Sequence, residues 1–139
     1  MSRPLYGAGA VVAVLGALTA CGGTPEPCRP VDVVPQVGVT WQADALPYGP
    51  EATYRLCVAT HCRSGARKLY GDLVRATVRL PENFDERTPR VTLRLSDGPG
   101  VPDLEVSRTI TLHHTKEGCD QALTGTLRLT ANGELRNAG

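Results

Sequence analysis

The strongest constraint on this chain is an apolar alternation at period two, which recurs from residue 31 onward. Val37, Val39 and Trp41 alternate with Gly38, Thr40 and Gln42. Tyr54, Leu56 and Val58 alternate with Arg55 and Cys57, and Val74, Ala76, Val78 and Leu80 with Arg75, Thr77 and Arg79. Val91, Leu93 and Leu95 repeat the pattern, as do Leu123, Leu127 and Leu129. Leu104, Val106, Ile110 and Leu112 share one parity, which predicts a single long strand. Successive side chains on a strand point to opposite faces, so each run offers one apolar face to a core and one polar face to water. No stretch carries a sustained helical period.

Turn-forming clusters separate the runs: Leu46 to Pro50, Pro81 to Pro89, and Asp97-Gly98-Pro99-Gly100. Asn132-Gly133 predicts a two-residue type I′ turn, because both central positions there favour positive φ. Six or seven short strands at this spacing predict an all-β fold. Its expected form is an antiparallel two-layer sandwich of immunoglobulin or fibronectin III-like pattern, with a small β-barrel as the alternative and Trp41 as a core anchor.

The 139 residues suffice for one such domain after a leader is removed. Arg3 is the only charge in residues 1–20, so the remainder balances 14 basic against 14 acidic side chains. Neutral balance gives no reason to expect a nucleic-acid partner, which usually needs a clustered basic surface. One Trp, one Phe and four Tyr are too few for a base-stacking platform.

Residues 1–21 place an uncharged, mostly apolar stretch, Leu5 to Leu18, behind Arg3 and end it in small residues. This is the pattern of a secretory leader, and it is short and Gly-rich for a permanent span of a bilayer core of ~30 Å. Leu18-Thr19-Ala20-Cys21 resembles the bacterial lipobox. In leader, linker and size the chain also resembles small uncharacterised actinobacterial lipoproteins. The resemblance implies diacylglycerol joined through a thioether to Cys21 and cleavage before that residue. An ordinary secretory signal cut nearby is the alternative. Gly22 to Pro27 cannot build a core and reads as a tether. The expected organisation is a signal peptide over 1–20, a lipidated cysteine and linker over 21–30, and a β-sandwich over 31–139. The expected location is the extracytoplasmic face of the cell membrane.

Lipidating Cys21 leaves Cys28, Cys57, Cys62 and Cys119, an even number in an oxidising compartment. The preferred pairing is Cys57–Cys62, facing across a four-residue hairpin loop, with Cys28–Cys119 tying the start of the domain to the loop before its last long strand. Free buried thiols are the competing reading.

His61 beside Cys57 and Cys62, with His113 and His114, supplies metal-ligating residue types. However, thiolate ligands must be unpaired, and adjacent strand residues face opposite ways. Surface histidines are therefore the expectation, with no metal site and no cofactor beyond the diacylglycerol. Ser64 or Ser107 with a His and an Asp would make a catalytic set on paper, but no GxSxG motif is present. Arg75, Arg79, Arg94 and Arg128 fall on polar strand faces, and Arg63, Arg67 and Lys68 are expected in the loop after the Cys57–Cys62 hairpin. They read either as a solvated face or as a basic patch for anionic lipid or an acidic partner. The expected function is a membrane-anchored, non-catalytic binding or structural module. Its partners would be the membrane, through the anchor, and an envelope protein. A small envelope enzyme or metal-binding protein is the alternative.

Overall fold

The computed structural model describes residues 33–138. The leader, Cys21, the linker and Cys28 lie outside them. Ten strands form: β1 (Gln36–Gln42), β2 (Thr53–Val58), β3 (His61–Ala66), β4 (Leu69–Tyr70), β5 (Leu73–Arg79), β6 (Arg90–Ser96), β7 (Leu104–Thr109), β8 (His113–Glu117), β9 (Asp120–Leu129) and β10 (Leu135–Asn137). The described residues contain no helix. They make the expected two-layer β-sandwich, and no closed barrel forms. The smaller sheet runs β3-β2-β6-β7. The larger runs β10-β9-β1-β5-β4, with β8 also paired to β9.

The apolar parity of each run becomes the core. Val37, Val39, Trp41, Val74, Ala76 and Val78 face inward from the larger sheet, against Tyr54, Leu56, Val58, Val91, Leu93 and Leu95 from the smaller. Trp41 is buried among them, as expected of an anchor. Among the described residues no polar or charged side chain is buried, so the sandwich avoids the cost of desolvated polar groups.

Several local expectations are corrected. Strand pairing is antiparallel except between β1 and β9, which run parallel from Gln36↔Thr124 to Thr40↔Arg128. These strands are far apart in sequence, so no hairpin dictates their direction. The first two strands lie in different sheets, unlike the immunoglobulin order, in which they share one. The long strand expected over 104–112 breaks after Thr109. Ile110 and Leu112 carry the chain from one sheet to the other, tied by backbone bonds to Pro89 (3.1 Å) and Arg87 (2.8 Å). They stay buried because they plug the end of the core, where Gly125 leaves room for them: a Cβ there would lie 2.9 Å from Ile110 Cδ1 and 3.0 Å from Leu112 Cδ2.

Asn132-Gly133 does not make a two-residue I′ turn. The Gly133 N–H donates to the Thr130 carbonyl (2.9 Å), and Gly133 alone has positive φ (79°), giving a three-residue loop that ends in a glycine bulge. The Cys57–Cys62 hairpin is also tighter than expected. Val58 pairs with His61, leaving Ala59-Thr60 as a two-residue turn.

Candidate functional site

Strand β1 lies in the middle of the larger sheet, between β5 and β9, and its polar parity faces outward. At its centre stands Gly38. A Cβ there would meet only ordinary contacts, 3.8 Å from Arg75 Nε and Thr77 Oγ1. The missing side chain leaves a trough across the outer face, of about 580 Å³, with Gly38 on its floor. Thr115, Thr124 and Thr126 line one side and Tyr70, Leu73 and Arg75 the other, while Val33 and Val34 line it where the chain enters the described fold. The hydroxyls of Thr115 and Thr124 hydrogen-bond each other (2.5 Å). This volume falls in the range of small-molecule sites, but the depression is open and carries one basic side chain and no acidic one. The polar groups it offers are hydroxyl donors and acceptors, a guanidinium and a phenol.

Register also groups the arginines differently from their grouping in the sequence. Arg136 is opposite Arg128, Arg128 is opposite Thr40, and Thr40 is opposite Arg75, a row running across β10, β9, β1 and β5. Arg79 lies on the same face, opposite Gln36. Arg94 does not join them. It lies on the smaller sheet and binds Asp103 at 2.8 Å, so the four-arginine patch of the sequence reading is split. The Asp103 hydrogen bond, with the carboxylate charge behind it, pushes the Arg94 pKa up. The same bond from Arg94 holds the Asp103 carboxyl below its ordinary value. Both groups are exposed, so the pair is a surface tie between β6 and the segment leading into β7. Arg136, missed from sequence because β10 is only three residues long, extends the row and pairs with Glu134 at 3.2 Å.

The other candidates disperse. Cys57 and Cys62 form a disulfide, which removes both sulfurs as thiolate ligands, and His61 packs edge-on against Phe84 with ring centroids 5.7 Å apart. His113 and His114 are exposed neighbours on β8, directed to opposite faces. No group of three or more His, Cys, Asp or Glu gathers among the described residues. Ser107 shares a hydrogen bond with Thr92 (2.8 Å). Ser64 lies three residues from His61 on β3, and is therefore directed to the opposite face. Cys119 lies in the β8–β9 turn and is disulfide-bonded; Cys28, its expected partner, is outside the described residues.

Tyr48 ties two loops together. Its hydroxyl donates to the Pro102 carbonyl (2.8 Å), while the neighbouring Gly49 N–H donates to Asp97 (2.8 Å). Burial, then the charges of Asp103 and Asp97, raise its pKa above the ordinary tyrosine value. This is a structural clamp, and none of its groups lines the trough. No helix among the described residues is long and apolar enough to cross a membrane. Comparison with protein-family models, curated proteins and solved structures finds no match.

Proposed function

We propose that this chain is an extracytoplasmic lipoprotein, anchored through diacylglycerol on Cys21, whose β-sandwich is a non-catalytic binding module. The outer face of the larger sheet is its binding surface. The observation that carries the binding part is the trough floored by Gly38, with its threonine rim and Arg75. A central strand that gives up a side chain in mid-face loses packing and gains a concavity, a trade suited to contact with another surface. The anchoring part rests on Leu18-Thr19-Ala20-Cys21. One acyl chain gives only reversible attachment, whereas the two of a diacylglyceryl group hold a domain stably. Pairing of Cys28 with Cys119 completes the reading by fastening the segment after the anchor to the β8–β9 turn.

Two arms test it in cells. Wild-type protein should incorporate labelled fatty acid and sediment with membrane, and Cys21→Ser should do neither. A photo-reactive residue at Thr126, on the rim, should form an adduct in the native envelope. Gly38→Leu, which fills the trough without a backbone clash, should suppress that adduct. Labelled, membrane-bound Cys21→Ser protein would refute the anchor. An adduct indifferent to Gly38→Leu would refute the trough.

A further inference from the structure

We propose that the outer face of the larger sheet is a membrane-docking surface, and that its occupant is a bilayer rich in anionic phospholipid. This deepens the binding-module reading by naming the partner of the same face, and it rests on that reading for its location.

Three independent features of the face converge on this partner. The first is charge. Arg136, Arg128 and Arg75 form one row across the sheet, and adjacent strands are about 4.8 Å apart. Arg136 and Arg128 stand directly opposite each other on neighbouring strands, a like-charge placement that weakens a sheet. The smaller sheet contains a comparable pair, Arg55 opposite Arg94, but there the next strand supplies Glu105 opposite Arg94, and Asp103 binds Arg94. On the larger sheet only Arg136 has a carboxylate, Glu134, while Arg75 and Arg128 make no ion pair among the described residues. The uncompensated charge is therefore at the centre of the face. A chain with balanced charge beyond its leader places one guanidinium without an ion pair, Arg75, in the trough and a second, Arg128, beside it across Thr40, and guanidinium matches phosphate oxygens in both charge and geometry.

The second feature is apolar. Leu69 and Tyr70 are the large hydrophobic side chains left exposed among the described residues, at 49% and 52%. Both belong to β4, the short strand at the edge of this sheet, but only Tyr70, opposite the outward Leu73, lies on the outer face; Leu69, opposite the core-facing Val74, takes the other side. Lys68 precedes them, with its ammonium 5.5 Å from the centre of the Tyr70 ring, and its carbonyl accepts the Arg75 N–H. The half-buried Leu73, the exposed Tyr70 and two cations at one corner of this face match the interfacial zone of a bilayer. There the aromatic ring settles among headgroups and basic side chains reach the phosphates. Asp72, in the turn after Tyr70, is the carboxylate nearest this corner in sequence.

The third feature is the tether. The chain enters the described fold at Val33 and Val34, which line the trough on this same face. Residues 22–32 can reach no further than about 40 Å when fully extended. A lipid on Cys21 therefore holds the domain within that distance of the bilayer, and the charged face sets which side turns toward it.

The experiment uses the chain from residue 21 onward carrying Cys21→Ser, so that no lipid contributes. Sedimentation is measured with vesicles of phosphatidylglycerol and phosphatidylcholine, and with phosphatidylcholine alone, at low and high salt. The expected result is binding to the anionic vesicles at low salt that is lost at high salt and absent without phosphatidylglycerol. Each Arg→Gln change at Arg75 or Arg128 should weaken binding about fivefold, the factor expected for one basic residue at an anionic surface. Arg→Lys at the same positions should largely preserve it, and Arg55→Gln with Arg94→Gln on the smaller sheet should leave it unchanged. With Tyr70→Trp, the added indole emission should shift to shorter wavelength on the same vesicles. Failure to bind at low salt, equal binding to phosphatidylcholine, or equal loss from the Arg55/Arg94 variant would overturn the proposal. So would a protein adduct at Thr126 combined with no vesicle binding, and that outcome would leave the binding-module reading standing.

Discussion

Gly125 shows how much one missing methyl group decides. It sits on β9 where Ile110 and Leu112 press in to close the core, and a Cβ would come within 3.0 Å of both. Those side chains are buried, so they have little room to move aside. Gly125→Val should therefore cost about 1–3 kcal/mol through overpacking, read as a lower urea midpoint, and Ile110→Val in the same background should recover part of it. Gly38 on β1 is the contrasting case, because its missing side chain faces outward, where a Cβ would meet only ordinary contacts at 3.8 Å. The sequence marks both only as interruptions of strand patterns, and which glycine serves packing and which serves a surface depends on what stands opposite each.

At the scale of elements, the turns were the least legible part. The residues flanking Asn132-Gly133 have strand parity, yet the type I turn and bulge absorb one residue more than a I′ turn would. The opposite happens at Cys57–Cys62, where the ladder continues inside the disulfide to Val58↔His61. Ala59 then takes φ of 53°, a conformation that costs a residue with a Cβ about 1–2 kcal/mol. Glycine avoids this cost but surrenders about 0.5–1 kcal/mol through its freer unfolded chain. Ala59→Gly should leave the fold intact and raise its stability by up to about 1 kcal/mol, measurable as a higher melting temperature. The strand break after Thr109 has the same lesson. Parity continues through Ile110 and Leu112, so nothing local announces that the chain leaves one sheet for the other.

For the molecule as a whole, the cysteines provide the test of how the domain is held. Cys57–Cys62 closes a loop between neighbouring strands, and the loop-entropy relation gives it about 2 kcal/mol. The proposed Cys28–Cys119 link would enclose most of the domain and contribute roughly 4–5 kcal/mol by the same relation. Paired Cys→Ser changes should therefore be unequal in denaturant titrations, with loss of the long link costing more. Non-reducing peptide mapping checks the connectivity directly, and a peptide joining Cys28 to Cys57 would refute it.

The sequence by itself determined the class of fold and the inward side of β1, β2, β5, β6, β7 and β9, but not of the short or exposed strands β3, β4, β8 and β10. Alternation is a local property: a run such as Val74, Ala76 and Val78 must put its apolar parity on one face wherever it pairs. It also carried the lipobox resemblance and the facing of Cys57 toward Cys62, both of which depend only on near neighbours. Tertiary structure decided the rest, namely which strands share a sheet, that β1 and β9 run parallel, and that Arg75, Arg128 and Arg136 form one row while Arg94 stands on the other sheet. The pairs β1–β5, β1–β9 and β2–β6 are joined across long stretches of chain. Period two fixes the face a side chain takes, but its neighbours on that face are set by register between distant strands. The trough and its cationic row arise from that register.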